Sequence, residues 1–362
     1  MSKAIICGTD AHDNSLVCRV GVDIGEPETL SFGNTRSGRK KLFDFLNAQK
    51  QKHGAERVVL AYEASSLGFG IYDDCVSSGI ECFVLAPTKM RKSRKDMKQK
   101  TDVKDAQLIL ETLRAHILGG NELPSIWIPD DQTRDDRELV RCRLDAAHKL
   151  TALKTQVQTL LKRNGVIKPK RAGNSWTKTY RAWLDVLLLP NGARIGLSSL
   201  LRQIAHAEAE IKLLDAEVER LSESRRYAEP AKALVEQLKG VGLLTAMVYL
   251  TEMGDLRRFS NRKQVGSFLG LAPSSNESGE VSDHKGHITH AGPARVRKVL
   301  CQASWCRVRL DAQEHLVYER LVAKNPKKKK IAVVASMRRL GIKMWHVGLE
   351  AQVNANVFDK AA

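Results

Sequence analysis

The apolar residues of this chain follow two different periods, and the change between them sets how many folding units it needs. Up to residue 122 the pattern is one of short runs: Ala4 to Thr9, Leu16 to Val22, Thr29 to Phe32, Arg57 to Tyr62 and Glu81 to Leu85 have strand length and strand composition. Helical spacing fills Lys40 to Lys52, Tyr72 to Ser77 and Asp102 to His116. Three strands followed by alternating helix and strand predict an α/β unit, a mixed sheet with helices packed on it. Pro124, Pro129 and Asp130-Asp131 mark a linker. From Leu139 the period becomes helical, through Ala146, Leu150, Leu153, Val157 and Leu160, and stops near Asn164-Gly165. A second seam then runs through Leu197, Leu200, Ile204, Ala207, Ile211, Leu214, Val218 and Leu221. An antiparallel helical hairpin and a dimeric coiled coil both satisfy these two stretches. A last, mainly helical segment starts near Ala233, broken by a Gly/Ser/His-rich loop from Pro273 to Pro293. The expected division is therefore 1–122, 131–228 and 233–350, since 362 residues exceed what one core usually fills.

Charge names the partner class. Lys+Arg 59 against Asp+Glu 41 gives a formal +18, which attracts a polyanion and holds it through counterion release. Nucleic acid is the expected partner. The sharpest basic cluster, Lys89, Arg91, Lys92, Arg94, Lys95, Lys98 and Lys100, runs directly into Asp102. Lys168, Lys170 and Arg171, and the run Lys327 to Lys330, are further candidate contacts, although a charge run is also what a solvated loop looks like. The N-terminus has no signal pattern, and the longest strongly apolar run, Val241 to Leu250, is far too short for a bilayer. A cytoplasmic protein without a membrane segment is expected. Seven cysteines with no CxxC pair argue against a disulfide framework or a structural zinc site, and read as reduced, mostly buried thiols.

Four carboxylates carry the strongest chemical signal. Asp10 ends the first predicted strand, Glu63 ends the fourth, and Asp102 and Asp105 open a helix on one face. Brought together, they would need cations, and hard oxygen ligands suit Mg²⁺; a pair of ions about 4 Å apart would polarise a phosphodiester. The plainer reading makes each a cap or a solvated charge. Asp23, before Gly25 and Pro27, rivals Asp10 but suits a turn. A second candidate is Ser278, which precedes a glycine in the polar loop, with Ser274, Ser275 and Ser282 as neighbours; a bare polar turn is the alternative. His284, His287 and His290 repeat every three residues there, but no fourth ligand at zinc spacing completes them. Gly240-Val-Gly242, ahead of a helix from Leu243 to Met253, reads as a helix-hairpin-helix turn facing phosphate, or as an ordinary helix entry.

These motifs carry a resemblance. Gly-Thr-Asp10-Ala-His, Tyr-Glu63-Ala-Ser and Lys100-Thr-Asp-Val-Lys-Asp-Ala106 resemble the acidic motifs of the DEDD insertion-sequence transposases. Gly240-Val-Gly242, Phe268-Leu-Gly-Leu-Ala-Pro273, Ser278-Gly279 and Val296-Arg297-Lys-Val-Leu300 resemble that family's C-terminal domain, in order. The resemblance implies a ribonuclease H-like (RuvC-like) acidic domain, a helical coiled-coil insertion and a C-terminal serine domain. It implies a recombinase that acts on donor and target DNA, directed by a structured guide (bridge) RNA. The acidic tetrad is expected to hold two Mg²⁺ ions, and the heptad seam is expected to join protomers into a homo-oligomer, dimer or tetramer. By the same match Ser278 is the residue that attacks DNA and becomes covalently linked to it; since serine lacks a strong local base and gains from a metal, it is expected to share one site with the tetrad. His290 stands where the family more often has Lys, which leaves phosphate contact or proton transfer open. Two rival readings are a nuclease using water as nucleophile and an inactive RNA-binding scaffold.

Overall fold

The computed structural model describes residues 3–90, 101–275, 285–324 and 326–355. The chain divides into two compact units, Met1–Ile128 and Pro129–Ala362.

The first unit is built on a five-stranded sheet. Its strands are β1 (Ala4–Ala11), β2 (Ser15–Val22), β3 (Glu28–Gly33), β4 (Arg57–Glu63) and β5 (Glu81–Leu85), in the order β3-β2-β1-β4-β5. β2 runs antiparallel to β1 and β3, whereas β1, β4 and β5 run parallel. Both faces are covered, which is why the central strands read as unbroken apolar runs. Strand alternation sorts them: Ile5, Cys7, Val58, Leu60 and Tyr62 pack with Leu42, Phe43 and Leu46 of helix α1 (Arg36–His53) and with Ile71 and Cys75 of α2 (Gly70–Ser77). Ala4, Ile6, Val59 and Ala61 pack on the other side with Ile109, Leu110 and Leu113 of α3 (Asp102–Gly119). Caps set the helix limits: Thr35 and Thr101 accept from the Gly38 and Lys104 backbone N–H groups, and Gly54 and Gly120 close the C-termini at φ 61° and 69°.

This unit extends beyond the expected boundary at 122. The Ala86 N–H donates to the Pro124 carbonyl, the Ile126 N–H to the Val84 carbonyl, and Leu85 bridges to Ser125. The stretch read as linker therefore covers the open edge of β5, and Ile126 and Ile128 pack on the sheet core.

Among the described residues the second unit is mainly helical, with one short antiparallel strand pair. α4 (Asp131–Arg163) and α6 (Asn191–Ser222) lie together, with α5 (Lys178–Asp185) between them in sequence. Leu197 and Ile204 of α6 are buried with Val157, Leu160 and Leu161 of α4 and with Tyr180 and Leu184 of α5. Within the chain, α4 and α6 pack as the antiparallel hairpin, one of the two arrangements the periodicity allowed. At their other ends α4 and α6 contribute Val140, Leu144 and Val218 to the core of α7 (Ala228–Gln237), α8 (Leu243–Met253), α9 (Arg262–Phe268), α10 (Ala294–Leu310) and α12 (Lys329–Asn354). α11 (Ala312–Lys324) packs on α10 and α12. The hairpin and the C-terminal segment thus share one unit. The stems of the loop between α9 and α10 are strands β6 (Pro273–Ser275) and β7 (Lys285–Ile288), paired antiparallel, where only a loop was expected.

All seven cysteines are free: Cys7, Cys18, Cys75 and Cys82 are buried, while Cys142 and Cys306 are exposed. No helix among the described residues is long and apolar enough to cross a membrane.

Candidate active site

The acidic residues of the first unit gather where β1 and β4 end and α3 begins. Thr9 is paired with Tyr62 in the parallel β1–β4 ladder, so Asp10 and Glu63 stand one step beyond that pair on neighbouring strands. Alternation puts both on the face that carries Ala4, Ile6, Val59 and Ala61, which is the face α3 covers. Gly8, on the same face, lets the helix come close. A β-carbon there would stand 2.4 Å from the Ala106 carbonyl oxygen and from the Leu110 nitrogen. Two long-range contacts hold the helix in position: Arg114 donates to the Gly25 carbonyl at 2.5 Å, and Arg19 donates to the Gln107 amide oxygen at 2.7 Å. The first turn of α3, with Asp102 and Asp105, therefore lies beside the end of β1. Its helix N-terminus favours negative charge there.

Within this corner His12 joins two of the four carboxylates. Its Nε2 lies 3.3 Å from Asp10 Oδ2 and 3.4 Å from Asp102 Oδ1. Among the described residues, Asp10, His12 and Asp102 are the group of three ligand-type side chains whose donor atoms all fall within 4.8 Å of one another. Glu63 and Asp105, both half-buried, lie on the same corner but outside that tight group. The corner opens to solvent: the side chains of Asp10, His12 and Asp102 are 15%, 42% and 55% exposed. A cleft of about 450 Å³ adjoins it, lined by His12, Asp13, Asn14, Ser15, Ser65 and Ser66. Two carboxylates and an imidazole at these separations form a donor set that fits a divalent ion. His12 was missed in the sequence. The available signal was its spacing, two residues after Asp10, which keeps it on the same side of an extended strand.

The rival acid is elsewhere. Asp23 adopts φ 45° in the turn after β2, and its Oδ1 accepts from the Ala4 N–H at 2.9 Å, at the opposite end of β1 from Asp10.

The remaining candidates fall into three groups. Ser278, Ser282, His284 and the cations Arg91, Lys92, Arg94, Lys95, Lys98 and Lys100 lie outside the described residues. Lys89, Lys168, Lys170 and Arg171 are exposed, and Lys168 also donates to the Gly173 carbonyl at 2.8 Å. Ser274 donates its hydroxyl to the His287 carbonyl at 3.0 Å, and His290, exposed, takes a left-handed φ of 54°. The last group is engaged in packing. Arg297 donates to the carbonyls of Leu269 and Gly292, tying together the two ends of the β6–β7 segment, and burial lowers its pKa. Gly240, at φ 86°, leaves room for α10, since a β-carbon would stand 2.8 Å from the Arg307 nitrogen. Gly242 caps α8 with open space around its α-carbon.

Known proteins resemble the chain along most of its length. Residues 232–319 match the model described as the transposase IS116/IS110/IS902 family, and residues 7–164 match a DEDD transposase model of the IS110 type. The chain is 30% identical over 321 residues to "Putative transposase y4qE" of Sinorhizobium fredii, covering 82% of this chain and 77% of that protein. It is 24% identical over 307 residues to the transposase for insertion sequence element IS1533 of Leptospira borgpetersenii, covering 84% and 86%. The pilin gene-inverting protein of Moraxella bovis is 24% identical over 248 residues, covering 67% and 64%.

Proposed function

This chain belongs to the IS116/IS110/IS902 family of transposases, and from that premise we propose that it cleaves and rejoins DNA strands by phosphodiester transesterification, with an acidic metal site in its first unit and Ser278 as nucleophile. The observation that carries the reading is the meeting of Asp10 and Asp102, from segments 92 positions apart in numbering, within reach of one His12 nitrogen. A mixed five-stranded sheet with helices on both faces agrees with the ribonuclease H-like fold that the DEDD domain implies.

Asp10 and Asp102 would hold a divalent ion, and Glu63 and Asp105 would complete the set on the same corner. Mg²⁺ bound there supplies charge neutralisation at the scissile phosphate and activation of an attacking oxygen. The carboxylates orient that charge, and the N-terminus of α3 adds fixed positive potential beside the phosphate. Ser278 attacks phosphorus through its hydroxyl oxygen; the serine proton passes to solvent, a phosphoserine–DNA ester forms, and the displaced deoxyribose oxygen takes a proton from solvent and leaves as a hydroxyl. Attack by a DNA hydroxyl on that ester reverses the exchange and frees the serine. The basic residues from Lys89 to Lys100, with Lys168, Lys170 and Arg171, fit the backbone of DNA and of a structured guide RNA.

Two variants test the reading. Asp102→Ala should abolish divalent-dependent cleavage without unfolding the protein, and Ser278→Ala should abolish the covalent protein–DNA adduct. Cleavage by Asp102→Ala at the normal rate would refute the acidic site. Normal cleavage by Ser278→Ala without any adduct would favour water as the nucleophile.

A further inference from the structure

We propose that His12 is itself a ligand of the divalent ion held by Asp10 and Asp102, and that its imidazole makes this site bind Mn²⁺ in preference to Mg²⁺. The proposal rests on the metal-site reading above and adds a nitrogen donor to a set otherwise made of oxygens.

Geometry argues first. Ligands that share one ion at about 2.1–2.2 Å in adjacent octahedral positions stand about 3.0–3.1 Å apart. The His12 nitrogen lies 3.3 Å from Asp10 Oδ2 and 3.4 Å from Asp102 Oδ1, so a contraction of a few tenths of an ångström brings it to ligand spacing from each, and all three donor atoms already fall within 4.8 Å of one another. The main chain of His12 is anchored: its N–H donates to the Ser15 carbonyl at 2.8 Å, and the Asn34 amide donates to its carbonyl at 2.7 Å. This turn fixes the residue directly after β1, where the extended chain returns it to the side of Asp10.

Donor chemistry sets the preference. Mg²⁺ favours oxygen ligands and gives up its waters reluctantly, whereas imidazole suits the later, softer divalent ions. Mn²⁺ accepts both donor types. A site of carboxylates alone would separate the two ions weakly, and one nitrogen tilts it toward Mn²⁺. A histidine that merely forms an ion pair with the two carboxylates would be displaced by the incoming ion and would leave that preference untouched.

The test uses the full chain at constant pH. Binding of Mn²⁺ and of Mg²⁺ is measured by titration calorimetry for the wild type, His12→Ala, His12→Gln and Asp102→Ala, and Mn²⁺ bound to each is examined for ¹⁴N coupling by electron spin-echo envelope modulation. The expected result is Mn²⁺ bound at least about tenfold more tightly than Mg²⁺ by the wild type, with imidazole nitrogen coupling. Both His12 variants should lose the coupling and most of the preference while still binding metal. If Asp102→Ala loses the metal but the wild type shows neither nitrogen coupling nor preference, the role of His12 is refuted and the acidic site stands. If the wild type binds neither ion, both fall.

Discussion

A β-carbon on Gly8 would stand 2.4 Å from the backbone nitrogen of Leu110, so the close seat of α3 on β1 depends on the absence of a side chain at this position. The same seat brings Asp102 to the end of β1. Gly8→Ala must push the helix backbone outward, because the nearest atoms are main chain and have no rotamer to escape into. The expected cost is about 1–3 kcal/mol in urea unfolding, with weakened divalent binding although no carboxylate has been changed. Wild-type stability and metal affinity in Gly8→Ala would show that α3 can shift without consequence.

Ile204 is buried between α6 and α4 inside one chain. Ile204→Ala should therefore lower the stability of the helical unit by about 2–5 kcal/mol, as a cavity in a packed core does. Its mass by light scattering should stay that of the wild type. A fall in mass would mean that the seam also joins protomers.

Glu314 supplies a pH test. Burial opposes its ionisation, but the Lys343 ammonium that hydrogen-bonds it and the Arg307 guanidinium at 3.3 Å outweigh this and hold its pKa below the usual carboxylate range. A depressed folded pKa adds stability above the unfolded value, about 4.3, that is lost as pH falls through the folded one. Glu314→Gln should be less stable than the wild type at pH 7, and the gap should narrow below about pH 4. Urea midpoints across that range decide it, and a gap independent of pH would contradict the pairing.

The cations Arg91, Lys92, Arg94 and Lys95 precede the acidic corner in sequence and bear on the +18 charge. Replacing all four with Gln should reduce the slope of log affinity against log salt for nucleic acid by about 3. An unchanged slope for both RNA and DNA would make the cluster a bystander.

Much of this was legible in the residues themselves. Alternation along Ala4–Ala11 and Arg57–Glu63 depends on neighbours one and two positions away, so both strands could be read locally, as could the turn at Asp23 and the helix Leu243–Met253. The four acids were legible as types at strand ends and a helix start. What local pattern could not supply was anything set by a distant partner. Residues 124–128 begin at Pro124 and read as linker, yet they bond to the edge of β5, because the unpaired groups of an edge strand accept any chain that passes. Gly240 and Arg297 also have partners that only the fold supplies, since a β-carbon at Gly240 would meet α10 and Arg297 donates to two loop carbonyls. The seam of α6 has one period whether its partner is α4 or a second copy, and the packing of Leu197 and Ile204 on α4 is seen only in the fold. The sequence by itself determined the five strands of the first unit, the long helices and the supply of carboxylates. The tertiary structure decided that Asp10 and Asp102 meet at His12, because that meeting is fixed by how closely Gly8 lets a helix approach from a hundred residues away in the chain.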